Sequence, residues 1–424
     1  MNKPTVLVIG AGLAGLAAAR KCQQEGLNVT VLEANSRTGG RIWTDYSMGV
    51  PMERGAIMFH GTQNNPVADI ATNLNIKLST VDTSSLDFGN DKKFSLTQLN
   101  ASHDQFWELV HKAGVEARKT QEDKSLFEAM LPLLNEYPTL NEEMFAWRNY
   151  FLSLHSAAGA KLLSAQNWVK DELSLEGDYP FVIGGYDKII HYLSRDLNIK
   201  LNTKITEIDY QQQIISVKTQ NEVFNASYVI VTIPLGVLKR QEVQFKPALP
   251  KEKQNAINSL AMGILDRVIL KFDTIFWPEQ THILGMLAKE YNSFAWFNNY
   301  HLYTKVPILV GAVAGALAQE LEQLDDEAIV EKAMDSLKQL YGPHIPKPKA
   351  YIVNKWGQAP FTYGAYSYIP VGASGKDYDE LAQSVADRLF FAGEATIKEY
   401  PGTVHGAYLS GVREAKKIID LIRN

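Results

Sequence analysis

Gly10, Gly12 and Gly15 stand in the spacing G-x-G-x-x-G, and the next apolar run ends on a carboxylate, Glu33. Each glycine has its own mechanical use. Gly10 permits a tight turn, Gly12 lets a pyrophosphate approach the backbone, and Gly15 lets a helix pack close to a strand. The helix that follows offers free N–H groups and a positive dipole end to a diphosphate. Glu33 falls where a carboxylate hydrogen-bonds a ribose 2′-OH, which argues against a 2′-phosphate. A Gly-rich turn alone is a weak signal, but the flanking pattern is the one it needs. Residues 6–9 are a continuous apolar run, as in a strand buried on both faces, 13–25 have helical periodicity, and 28–32 are a second strand. Dinucleotide binding follows. Further on, Arg37 and Arg41 bracket Gly39 and Gly40, a loop whose backbone can press against a charged ligand while guanidinium groups meet phosphate oxygens. A lone histidine such as His60, in the Gly-punctuated stretch 53–61, is more often packed or solvated than catalytic.

The elements that must position these groups are spread along 424 residues, too many for one small core and enough for two or three domains. With 46% hydrophobic and 21% charged residues the chain is globular, and disordered and fibrous classes drop out. A net charge of −5 gives no case for a nucleic-acid partner. Cys22 is the only cysteine, which leaves no intramolecular disulfide and no cysteine metal site; we expect an inert packed thiol and no metal. No stretch reaches the roughly 18 apolar residues of a membrane span, and the chain enters its first strand almost at once, so a soluble, cytoplasmic protein without a membrane partner is expected. Helical patterns occupy 67–74, 104–120, 124–135 and 141–155, and the acids of 168–176 read as a solvated loop. A turn at 182–187 leads into a helix over 188–196, before strands at 200–208, 214–219 and 228–234. Strands at 265–272 and 308–314, a helix at 325–340 and a final helix from near Thr403 to 421 complete the chain. The fold class is α/β: a Rossmann-like dinucleotide domain, discontinuous in sequence, with an α+β domain threaded between its pieces.

Taken in order, the G-x-G-x-x-G turn, Glu33, Gly39-Gly40-Arg41, His60-Gly61, TIPLG at 232–236, FWP at 276–278, GAYSYIP at 364–370, FAGE at 391–394 and PGTVHGA at 401–407 resemble the flavin-containing amine oxidases. The likeness runs nearly the full length, and the C-terminal motifs are similar to the polyamine oxidase and flavin demethylase branch. The resemblance implies FAD, oxidation of a C–N bond and a two-domain fold: residues 1–79, 182–245 and 386–424 for the cofactor, 80–181 and 246–385 for the substrate. It implies that Gly10, Gly12, Ala14, Gly15, Glu33, Arg37, Gly39, Gly40 and Arg41 hold the adenosine-diphosphate half, with Ile205 meeting the adenine. Gly393 and Glu394 meet the ribityl or diphosphate, Trp356 lines the flavin face, and Thr403 and Val404 its pyrimidine edge. Ala365 stands where covalently flavinylated members carry a cysteine, so the FAD is expected to be noncovalent.

For the substrate the resemblance implies an amine beside Tyr366, with Phe361 lining the site and His60 near the nitrogen. Thr403 occupies the place of a second tyrosine wall. Arg267 replaces a lysine that the family sets beside flavin N5, with Lys271 a weaker candidate for that role. Arginine keeps its charge and forks its donors in a plane, which makes turnover with oxygen the step in question. His60, Arg267, Tyr366 and Thr403 are therefore the catalytic candidates. The expected reaction takes a small primary or secondary amine, polyamine-like favoured, to an imine and then an aldehyde, with O2 reduced to H2O2. Acids in 168–176 would receive a distal ammonium. Alternatives are an L-amino-acid oxidase, with Arg267 facing a carboxylate, a carotenoid desaturase, and a flavin-bound protein that has lost oxidase turnover. Histone demethylation is not expected, because that activity employs a long helical insertion and a reader domain. Oligomeric state is left open.

Overall fold

Five short strands from widely separated parts of the chain lie side by side and all parallel, in the order Leu389–Phe391, Tyr228–Val231, Thr5–Ile9, Asn28–Leu32, Asn198–Lys200. This computed structural model describes residues 4–89 and 94–423. Both faces of the sheet are covered, which is why Thr5–Ile9, Tyr228–Val231 and Leu389–Phe391 are nearly continuous apolar runs rather than alternating. Val6, Val8, Val31, Ile230 and Phe390 point into a core shared with the first helix, Leu13–Gln24, and the C-terminal helix, Val404–Arg423. Leu7, Ile9, Val229, Val231 and Phe391 point the other way, into a core completed by an antiparallel layer. The two helices pack at backbone distance. A Cβ on Gly411 would come within 2.1 Å of the Ala14 carbonyl oxygen, so the first helix and the C-terminal helix meet beside the Gly-rich turn. Cys22 is buried in this core and its thiol is pushed up to about 12 by burial, as an inert packed group requires.

A second, six-stranded sheet carries Arg267 and Lys271. Its order is Ala350–Val353, Leu265–Lys271, Ile308–Ala314, Trp296–Asn299, Ile283–Gly285, Leu86–Asp87. Every neighbouring pair is antiparallel except the last, where Leu86–Asp87 runs parallel to Ile283–Gly285. The helices Leu96–Ala117 and Glu142–Ser156 pack over it through a large shared core. No helix among the described residues is long and apolar enough to cross a membrane.

Three sequence expectations need correction here. The helix expected from 104 begins at Leu96, because Ser95 and Gln98 form a reciprocal capping box ahead of a polar first turn. The helix expected over 124–135 is α-helical only over Leu126–Met130 and continues as a 3-10 turn, Leu131–Glu136; Pro132 supplies no N–H to an α-helical ladder. The single strand expected over 200–208 is two, Asn198–Lys200 in the parallel sheet and Ile205–Asp209 in a four-stranded one. Asn202, with φ 52° between them, turns the chain from one sheet to the other.

Candidate active site

One cavity of about 1490 Å³ runs between the two sheets. That exceeds the roughly 300–1,000 Å³ of a pocket for a drug-sized ligand. At one end it is floored by the Gly-rich turn. No side chain caps the first helix, so its leading N–H groups face the cavity as an anion site. An added Cβ on Gly12 would meet no protein atom within 4 Å, whereas one on Gly15 would lie 2.0 Å from the Gly10 carbonyl oxygen. Gly12 therefore opens on the ligand space, and Gly15 does not line it but lets helix meet strand. Gly10 holds φ 105°, a conformation that suits glycine. Glu33 accepts from Ala11 N–H at 2.6 Å and Asn35 N–H at 2.8 Å. Burial raises its pKa, and those two bonds pull it back. Ile205, Ala14, Gly39, Gly40, Gly393 and Val404 line the same space.

The two arginines expected on phosphate are committed to the protein. Arg37 donates to the carbonyls of Thr38, Gly40 and Ile42, and its guanidinium lies 4.4 Å from the Trp43 ring centre. Burial lowers its pKa to about 10. Arg41 forms a 2.8 Å ion pair with Glu394 and donates to the Ala365 carbonyl. The other Glu394 oxygen accepts from Ser367 Oγ at 2.6 Å and Gly402 N–H at 3.1 Å. Glu394 thus ties Arg41, the 364–370 stretch and the start of the C-terminal helix together, so what it offers a ligand is that arrangement rather than a free carboxylate. Thr403 is likewise used up: its hydroxyl donates to the Tyr400 carbonyl and accepts from Gly406 N–H, a helix cap. A capping hydroxyl is a poor catalytic group. Its contribution is to fix the start of Val404–Arg423 at the cavity wall.

From there the cavity enters an arm of rings. Tyr366 is fixed by its hydroxyl, 2.9 Å from the Leu154 carbonyl oxygen and 3.1 Å from that of His155, at the end of Glu142–Ser156. The His155 ring lies 6.2 Å from His60, 5.9 Å from Trp107 and 6.4 Å from Trp168. Burial, with His155 and His405 nearby, lowers the His60 pKa to about 3; burial lowers His155 as well and takes His405 to about 4. These imidazoles are neutral at pH 7. Arg267, on Leu265–Lys271, lines the arm and donates to the Gly55 carbonyl. Burial lowers its pKa, and the influence of Tyr366 and Glu53 opposes that. Trp356 is held by its backbone N–H on Asp266 and its indole N–H on the Arg54 carbonyl.

The chain matches the family model of flavin-containing amine oxidoreductases over residues 13–419. Probable polyamine oxidase 4 of Arabidopsis thaliana is 36% identical, with 97% of this chain and 86% of that protein covered. Polyamine oxidase 4 of Oryza sativa subsp. japonica is 36% identical, over 98% of this chain and 88% of that protein. Lysine-specific histone demethylase 1 homolog 2 of Arabidopsis thaliana is also 36% identical, over 98% of this chain but 58% of that protein.

This chain belongs to the flavin-containing amine oxidoreductases. The cofactor of that family is FAD, and the groups present fit it: the uncapped N-terminus of the first helix, a Gly12 open to the ligand, the Glu33 carboxyl group just after its strand, and a second helix start at Val404. Two residues assigned from the resemblance lie elsewhere. The ring of Phe361 is 5.7 Å from Lys204 Nζ, next to Ile205, at the nucleotide end rather than with His60 and Tyr366. Lys271 donates to the Met48 carbonyl and does not line the cavity. Sequence reasoning also missed part of the arm. His103 with Trp107 and Phe151 with His155 are i, i+4 pairs on two helices, each turning one stripe toward the cavity; that spacing was the available signal. Glu172, read as solvated with its neighbours, lines the cavity instead, and burial raises its pKa to about 7.

Proposed function

We propose that the chain oxidises the C–N bond of a small primary or secondary amine, polyamine-like favoured, to an imine and then an aldehyde, with O2 reduced to H2O2; noncovalent FAD, held by the Gly12 turn and Glu33, would when bound supply the hydride acceptor and the route of the electrons to O2. The observation that carries this reading is the continuity of one cavity from the Gly12–Glu33 nucleotide end to the arm of Tyr366, His60 and Arg267. Tyr366, clamped by two carbonyls, offers a fixed face against which a flat reacting centre is oriented. The neutral imidazoles add no charge to repel an amine, and Glu172 supplies a carboxyl group on the same wall. The names of the polyamine oxidase relatives favour a polyamine-like substrate. Ala365 carries no nucleophile for a covalent flavin link. Arg267 favours a second reading, a flavoprotein with altered oxygen turnover, since its guanidinium is anchored and keeps its charge.

The test follows flavin absorbance with spermine, spermidine, acetylated polyamines and arylalkyl amines, with and without oxygen, after acid release has shown the FAD to be noncovalent. Anaerobic bleaching by one class, with H2O2 appearing in air, is the expected result. Bleaching without aerobic turnover selects the second reading, and no bleaching by any amine overturns both.

A further inference from the structure

An alkyl amine in neutral water is an ammonium ion, with a pKa on the order of 10. Its nitrogen has no lone pair to stabilise the carbon that loses a hydride. One proton must therefore leave before oxidation, and the arm offers few groups to take it. His60, His155 and His405 are poor acceptors at neutral pH, because burial has made each imidazole a weak base. Tyr366 and Tyr378 are phenols whose ionisation burial pushes further up. Arg267 is already cationic.

We propose that Glu172 is a further catalytic residue, whose carboxylate takes the proton from the substrate ammonium. This rests on the amine-oxidation reading above. Glu172 lines the cavity with Tyr366, His60 and Arg267, and its charge is felt at Tyr366 and at Tyr378. Burial shifts its acidity, and among the described residues neither a hydrogen bond nor a neighbouring charge offsets it. Two nearby charged groups are placed differently. Asp171, its neighbour in sequence, has a carboxylate oxygen 2.2 Å from where a Cβ on Gly375 would stand, so it packs on that backbone. Lys398 pairs with Asp379 at 2.6 Å. Among the described residues no hydrogen bond or ion pair holds the Glu172 carboxyl group, and it lines the cavity together with Asp171 and Asp178.

In the step itself an N–H bond of the ammonium breaks and its electron pair stays on nitrogen. The proton forms an O–H bond with Glu172, and no oxidation state changes. In bulk water the transfer is uphill, since a carboxylic acid is much the stronger acid. An ammonium–carboxylate pair enclosed in this arm has lost hydration on both partners, and transfer converts two buried charges into a hydrogen-bonded neutral pair.

The experiment uses the FAD-loaded protein and its Glu172→Gln variant. Anaerobic flavin bleaching by spermidine, N-acetylspermine and phenethylamine is followed as a function of pH, and carboxyl infrared bands are recorded with and without amine. Glu172→Gln is expected to bleach on the order of 100-fold more slowly at about pH 7 and to recover as pH approaches the ionisation of the free amine. In the wild type, adding amine at about pH 8 should produce a protonated-carboxyl band that the variant lacks. Matching flavin spectra, and matching melting temperatures on the acid side of the Glu172 ionisation where both side chains are uncharged, identify the difference as chemical. Identical pH profiles with only KM raised would make Glu172 an ion-pairing group and overturn the proposal, as would absence of the infrared band. Failure of every amine to bleach the wild-type flavin is a separate outcome, and it removes the amine-oxidation reading itself.

Discussion

Two carboxyl groups and three imidazoles bordering the site have been moved by burial in opposite directions, and their effects on stability have opposite signs. Glu53 accepts from Thr44 Oγ1 and Tyr186 N–H, and burial raises it from 4.5 to about 7. Between those values the folded chain holds a proton that the unfolded chain has lost. Its contribution is therefore complete below about pH 4.5 and is lost as pH rises through about 7. Glu172 acts in the same sense. His60 is depressed from 6.5 to about 3, so its contribution is present above 6.5 and is lost as pH falls toward 3. Glu53→Gln keeps an acceptor for Tyr186 N–H and a group for Thr44, and removes one titration. Thermal melts from about pH 5 to about pH 8 should show the wild type losing stability, with the variant flatter by about 2–3 kcal/mol, or a few degrees in Tm. Parallel curves for the two proteins would mean that Glu53 ionises at its ordinary value.

At the scale of elements, the turn between the first strand and the first helix makes different demands on two glycines of one motif. Gly12 has φ −73° and open space where a Cβ would stand, while a Cβ on Gly15 would lie 2.0 Å from backbone. Gly12→Ala is expected to fold normally and to bind FAD at least about tenfold more weakly, a loss of ~1.4 kcal/mol measured by flavin retention. Gly15→Ala must push the helix off the strand, and a loss of about 3 kcal/mol or more, read by denaturant melts, is expected even without FAD. Equal behaviour of the two variants would contradict the division of labour. These glycines were legible in the sequence because strand, turn and helix each carried a local signal, and Ile308–Ala314 and Asn28–Leu32 were legible for the same reason. What was not legible depended on distant partners. The sequence marks Arg41 as a cation, but its pairing with Glu394 joins residues 353 apart. Thr403 showed its type, and only the helix geometry shows its hydroxyl spent on a cap. Glu172 sits in a polar stretch that looks solvated until the rings of two other helices close over the cavity.

For the molecule as a whole, the cavity is the junction between independent cores. The parallel sheet buries its two faces in separate clusters, and the six-stranded sheet with its covering helices buries another. The walls of the cavity draw on all three, from Leu13 and Ala14 through Ile205 to Trp107, Phe151 and Trp296. A dinucleotide filling that space binds only when these layers are docked together, so its binding free energy adds to their mutual stability. At a free FAD concentration about 100 times Kd the gain is about 2.7 kcal/mol, which for a chain of this size corresponds to a rise of several degrees in Tm. With the noncovalent FAD proposed above and with separate cores, calorimetry should resolve two transitions in protein stripped of FAD and one, at higher temperature, after FAD is restored. A single transition unmoved by FAD would mean that the layers are held by their own packing and that the cofactor occupies a site already rigid.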